Sequence, residues 1–213
     1  MSEGQLAALI LWLLLLGASV HRALWHNLRM TSLYQHLLLG SAIILIPLWL
    51  LRAGLHDGLT IHFLGITSLT LLLGWRLALW APCLTLMLLS YAGVEEWANV
   101  GWNALIGIAL PVAASWLLFL ASWAWLPRHL FIYLFIAAFL GGALAISVKV
   151  LATALLLGLN GDYSWQIIVD DYLSIWPLLL FPEALLNGMT MTLLAIYRPH
   201  WVSTFFDRTY LGR

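Results

Sequence analysis

"LAALILWLLLLGASV", residues 6–20, decides the fold. It carries no charge and no alternation of period two, so it reads as a helix that is apolar on every face rather than as a barrel strand. Such a helix needs an apolar solvent. The whole chain repeats the pattern: it is 63% hydrophobic and 8% charged, with a mean hydropathy of +0.97. Soluble domains carry roughly 25% charged residues. Apolar runs of about 17–25 residues let a helix cross ~30 Å of hydrocarbon. The expectation is an all-α integral membrane protein with a single transmembrane domain over residues 1–213. Candidate spans lie near 5–21, 35–52, 60–74, 77–93, 101–124, 130–158 and 172–197, a bundle of about seven transmembrane helices. The third and fourth are short and share "LLLGWRLALWAP", residues 71–82, so six spans plus a re-entrant pair is the alternative. An acid, Glu3, and no base precedes the first run, which argues for a retained span rather than a signal peptide.

Charge sets the orientation. Arg22 and Arg29, then Arg76, then Arg128, then Arg198, Arg208 and Arg213 fall in alternate loops. The intervening loops hold Asp57, then Glu95 and Glu96, then Asp162, Asp170 and Asp171; only Arg52 joins that side, at a helix end from which it can snorkel. The positive-inside bias places the C-terminus in the cytoplasm and the N-terminus outside a bacterial cytoplasmic membrane. Nine basic residues balance nine acidic ones and no basic stripe appears, so no nucleic-acid partner is expected. The single cysteine, Cys83, excludes an intrachain disulfide. No phosphate-binding loop, hydrolase elbow or zinc signature is present, so the chain has no ATP site of its own and is not expected to be an enzyme.

Two ionisable residues fall inside spans, Lys149 and Glu183. Counted from their acidic-side ends they lie roughly 13 and 16 Å deep at 1.5 Å per residue. Consecutive antiparallel helices at matching depth predict an intramembrane ion pair between them. Its use is a packing pin or, alternatively, a proton or ion relay. The small residues Ala137, Gly141 and Ala145, with Ala138 and Gly142 beside them, predict close helix packing, within the chain or against a partner.

The polar stretch "GLHDGLTIHFLG", residues 54–65, puts two histidines and an aspartate at the mouth of a span on the acidic side. These are metal-ligand types. His56 and His62 are six apart, about 240° on one helix, so the loop must fold His56 back for the two to share an ion. Gly58 permits that turn, and Thr60 is placed to cap a helix beginning at Ile61. The candidate metal ligands are His62, His56 and Asp57. Glu95 or Glu96 would complete the shell or act as a funnel, and Asn103 would orient a ligand from behind. Imidazole and carboxylate do not choose among cobalt, nickel, zinc and copper, and no organic cofactor is expected. The plain alternative is that His62 bonds a neighbouring loop carbonyl and the acidic loops only obey the topology bias.

Several of these stretches resemble, in order, the CbiM/NikM family, the substrate-capturing membrane subunits of energy-coupling factor transporters for cobalt and nickel. Gly58, Thr60, His62 and Gly65 look like the family's Gly-rich turn and His element. Leu71-Leu72-Leu73-Gly74 resembles its hairpin turn, and Asn103-Ala104-Leu105 its Asn-Ala-Leu element. Pro182 to Leu185 with Gly188 resembles its Pro-Glu-Ala-Leu segment. The order and spacing agree over roughly residues 35–195. The chain departs at its start, Met1-Ser2-Glu3-Gly4, where the family begins Met-His and uses that His and the free amine as ligands. Only the His62 part of the site carries over.

The resemblance implies a bundle like the family's substrate-binding components and a permease subunit for uptake of a divalent transition-metal ion. That subunit would act alone or with an energy-coupling transmembrane subunit and ATPase. The alternative is a membrane scaffold or assembly factor that kept the fold and lost the metal.

Overall fold

The computed structural model describes residues 1–21, 28, 31–53, 60–206 and 210. Helix α1 (Glu3–Ser19) starts at a capping box: Gln5 N–H donates to the Ser2 hydroxyl while Ser2 N–H donates to Gln5 Oε1. It buries Ala8, Trp12, Leu16 and Ser19, one stripe at helical spacing, and leaves Leu13 and Leu14 exposed. Helix α2 (Ser32–Leu50) follows, then a minimal hairpin of β1 (Arg52–Ala53) and β2 (Ile61–His62). The short helix α3 (Ile66–Leu73) leads through a turn at Gly74 to α4 (Leu77–Tyr91). Two long helices come next, α5 (Trp97–Trp125) and α6 (Leu130–Asn160). A short helix α7 (Trp165–Ile167, continued by Ile168–Leu173) precedes α8 (Trp176–Tyr197).

Helices α2, α5, α6 and α8 are each long and apolar enough to cross a membrane, and α1 and α4 are shorter apolar helices. Their exposed faces are leucine, isoleucine, phenylalanine and tryptophan, the surface that lipid requires. The chain is an all-α, multi-pass membrane protein. Its ends are chemically distinct. Arg76, Arg128 and Arg198 cluster at one end, each over a tryptophan ring: Trp75 at 4.9 Å, Trp123 at 4.4 Å and Trp201 at 5.5 Å. Arg52 pairs with Glu95 at the other, acidic, end.

The expected third span over 60–74 takes a different form. Residues 61–62 are a strand, 63–65 are not helical, and the helix begins only at Ile66, after Gly65 in the left-handed region (φ 65°). An eight-residue helix is about 12 Å long, less than half a membrane. All eight residues are buried, because α4, α5, α6 and α8 surround α3. Extended backbone at this depth is tolerated only where protein encloses it. At the basic end of α3, Ser203 N–H donates to the Leu72 carbonyl and the Thr204 hydroxyl to the Leu71 carbonyl, at 2.9 and 2.7 Å. The segment after α8 thus caps α3. Thr60 precedes a strand, so it is not the cap of a helix beginning at Ile61.

The small-residue face of α6 packs internally. A Cβ on Gly141 would meet Thr67 of α3 at 2.9 Å, and one on Gly142 would meet Asn187 and the Glu183 carbonyl of α8 at 2.9 Å. Ala137, Ala138 and Ala145 are fully buried.

Candidate metal-capture site

An interrupted helix leaves backbone donors without partners at its N-terminus. Here α8 supplies the acceptors. The Glu183 carboxylate accepts from Leu64 N–H and Gly65 N–H, both at 2.9 Å. One turn on, Asn187 Oδ1 accepts from Ser68 N–H at 2.8 Å and from the Ser68 hydroxyl at 2.9 Å. The Asn187 amide in turn donates to Glu183 Oε1 at 2.8 Å. Glu183 and Asn187 are four apart, so they share one face of α8, and both are fully buried. A carboxylate facing a helix N-terminus also meets the positive end of the helix dipole.

This network replaces the expected Lys149–Glu183 ion pair. The two groups do not reach ion-pair distance; among the described residues Arg52 and Glu95 do, at 2.7 Å. The helix ends explain the difference. α6 runs on to Asn160 and α8 begins only at Trp176, which puts Lys149 about 16 Å in and Glu183 about 10 Å in, offset by about a turn. The Glu183 oxygens are also taken by backbone donors. Lys149, itself buried, interacts electrostatically with Glu95 first and Glu183 second.

His62 sits just above this cap, in β2, outside the crossing helices. Its Nδ1 lies 2.9 Å from the Phe63 carbonyl, which fixes that nitrogen as the donor. The lone pair therefore resides on Nε2. The carbonyl bond anticipated as the plain alternative is thus present on one ring nitrogen and orients the other, as in histidines that ligate metals. Trp49 stacks obliquely on the ring at 5.2 Å and donates its indole N–H to the Leu64 carbonyl at 3.2 Å. Burial first, and the charge of Lys149 second, hold the imidazole pKa well below its ordinary value; Arg52 adds to this and the Phe63 carbonyl opposes it. That direction favours the unprotonated ring that ligation requires.

Arg52 pairs directly opposite His62 in the hairpin, so their side chains share a face. Its Nη1 binds Glu95 Oε1 at 2.7 Å and its Nε donates to the Trp49 carbonyl at 3.3 Å. Glu95 Oε2 accepts from the Asn103 amide at 2.7 Å, which places Asn103 behind Glu95. Glu96 is exposed and accepts from Asn99, which also binds Gln5 of α1. The two glutamates therefore face different neighbours. His56 and Asp57 lie outside the described residues. Among the described residues no three of His, Cys, Asp and Glu gather as a metal cluster. Sequence reading missed Asn187, whose signal was its i,i+4 spacing from Glu183, and gave Arg52 only a snorkelling role.

Neither a curated protein nor a solved structure matches the chain. A family model does, over nearly its whole length: the cobalt uptake substrate-specific transmembrane region, CbiM, aligns with residues 2–201. With its bundle of long apolar helices, the chain therefore belongs to the CbiM family of cobalt-uptake transmembrane regions.

Proposed function

We propose that the chain is the substrate-capture subunit of an uptake system for a divalent transition-metal ion of the cobalt and nickel type. It would reside in a bacterial cytoplasmic membrane with the acidic end outside. The observation that carries the reading is His62: an imidazole held through Nδ1 by the Phe63 carbonyl, which leaves Nε2 as its ligating nitrogen, with Arg52, paired to Glu95, opposite it in the hairpin. His56 and Asp57, six and five positions before it in the sequence, are the proposed companions. Glu95 and Glu96 form the acidic approach, Asn103 steadies Glu95, and Thr60 lies beside the ligand strand. With no ATP-binding motif in the chain, transport would be driven by an energy-coupling transmembrane subunit and ATPase. The chain performs no covalent chemistry in this scheme.

Calorimetric titration of cobalt(II) into the purified protein tests it. Wild type should bind one ion per chain and His62→Ala none; equal heats from both, or none from either, removes the site. A second reading, a scaffold that kept the fold and lost the metal, draws support from the lack of a three-ligand cluster among the described residues. Absence of binding by wild type would favour it.

A further inference from the structure

Helix α3 has the construction of a lever. It is short, buried on every face, and bounded by two glycines of positive φ, Gly65 at 65° and Gly74 at 77°. Glycine turns there without strain, so the segment between the two can move as one rigid piece. Through Gly65 it continues directly into Leu64, Phe63 and His62. Two clasps hold it. Above, Glu183 and Asn187 accept from Leu64 N–H, Gly65 N–H, Ser68 N–H and the Ser68 hydroxyl. Below, the segment after α8 donates to the last carbonyls of the helix. Ser203 N–H reaches Leu72 at 2.9 Å, the Thr204 hydroxyl Leu71 at 2.7 Å, and the Ser203 hydroxyl Leu71 at 3.3 Å.

The clasps are unequal. Hydrogen bonds to a carboxylate are roughly twice as strong as neutral ones, and only the upper clasp has a carboxylate. The lower one uses neutral donors, two of them side-chain hydroxyls, on a stretch whose one regular element is the short turn Pro199–Trp201. Val202, Thr204 and Phe205 bury its inward side, and Thr204 Oγ1 also meets the Tyr133 hydroxyl at 2.8 Å. Its outward side, Ser203 and Phe206, is exposed at the basic end. A load applied from that end therefore opens the lower clasp first.

We infer that residues 199–206 are a latch on α3: drawn away at the basic end, they free α3 to turn on its two glycines and shift the strand that carries His62. The inference rests on the metal-capture reading and gives that site a release step. Coupling runs from the basic end to the ligand strand through one rigid helix of about 12 Å. With the latch closed, α3 and the strand are held in place; with it open, the ion is released.

Hydrogen–deuterium exchange of the full-length protein in detergent tests the latch. Thr204→Val keeps the side-chain volume and deletes the hydroxyl that Leu71 and Tyr133 share. Thr85→Val is the matched control, because it deletes a buried hydroxyl that donates to the Ala42 carbonyl at 2.8 Å, between α4 and α2. Thr204→Val should exchange about fivefold faster or more over residues 61–73, with α5, α6 and α8 unchanged. Thr85→Val should match wild type over 61–73. Tyr133→Phe, which removes only the hydroxyl behind Thr204, should shift 61–73 the same way by less, and it decides where Thr204→Val does not fold. Cobalt(II) loaded on the protein and chased with a chelator should leave Thr204→Val several-fold faster than wild type or Thr85→Val. Faster exchange in the tail alone overturns the latch, and so does loosening of the whole bundle or an equal change from Thr85→Val. An unchanged rate of cobalt release overturns the release step and leaves metal capture standing. If wild type binds no cobalt, the capture reading falls and the release step with it, while exchange over 61–73 still decides whether the tail holds the strand.

Discussion

Glu183 and Glu95 carry the same group into the same end of the molecule and do different work. Glu183 is fully buried and spends its oxygens on backbone amides of an interrupted helix. Glu95 is partly exposed, at 20%, and spends its oxygens on side chains, Arg52 and Asn103. The difference lies in what would be unsatisfied without each. Removing Glu183 strands main-chain donors in an apolar interior, where no water replaces it. Removing Glu95 strands side chains at a rim that solvent reaches. An ionisable group inside a membrane is thus no proof of a transport site; the donors it faces say whether it holds the fold or the cargo.

The largest expected effect is that of Glu183→Ala. It leaves Leu64 N–H, Gly65 N–H and the Asn187 amide short of an acceptor. Each stranded buried donor costs about 1–3 kcal/mol, so the melting temperature should fall by roughly 10 °C or more. Glu183→Gln keeps one acceptor oxygen and should lose about half as much by the same reasoning. Thermal unfolding of the detergent-purified variants measures both, and wild-type melting of the alanine variant would show that α3 does not depend on its cap.

Next comes the contact that brings the cap into place. Gly142→Ala puts a Cβ 2.9 Å from Asn187 Nδ2 and from the Glu183 carbonyl. Neither can retreat without parting α6 from α8 or loosening the network, and such overpacking costs about 1–3 kcal/mol. Gly107→Ala in α5 is the control, because its Cβ would meet nothing within 4 Å. The first should melt below the second; coincident curves would mean that the α6–α8 approach has slack.

These two sites also measure how far the sequence could be read. The apolar blocks announced the membrane bundle, since hydropathy is a property of whole segments. They could not announce the break in the third block, because an apolar run scores alike whether helical or extended. The break is set by tertiary partners: Gly65 supplies the positive φ, and Glu183 with Asn187 satisfies the donors that the break exposes. Glu183 was conspicuous as a charge in a span, but matched depth pointed to Lys149 when the demand came from the backbone. At the rim, His62 and Asn103 were legible as polar residues at span mouths. Arg52 was not, because a two-residue strand pairing leaves no periodicity to reveal which side chain faces His62.

The smallest effect on stability should belong to Glu95→Gln, and it sharpens the comparison most. The ion pair with Arg52 sits where water competes, and such pairs are worth about 0–1 kcal/mol. The amide also keeps an oxygen for Arg52 or Asn103, so the melting temperature should stay within about 2–4 °C of wild type. What changes is the field. Without the carboxylate, Arg52 and Lys149 present uncompensated positive charge to an arriving cation, and a charged mouth sets the approach rate of ions as well as their residence. Uptake of radioactive cobalt by cells expressing the variant with its transport partners should therefore drop several-fold at unchanged membrane abundance, and the deficit should shrink as ionic strength rises. If Glu95→Gln instead lowers the melting temperature as much as Glu183→Gln does, the rim pair is a structural clamp like the cap, and the division between the two glutamates fails.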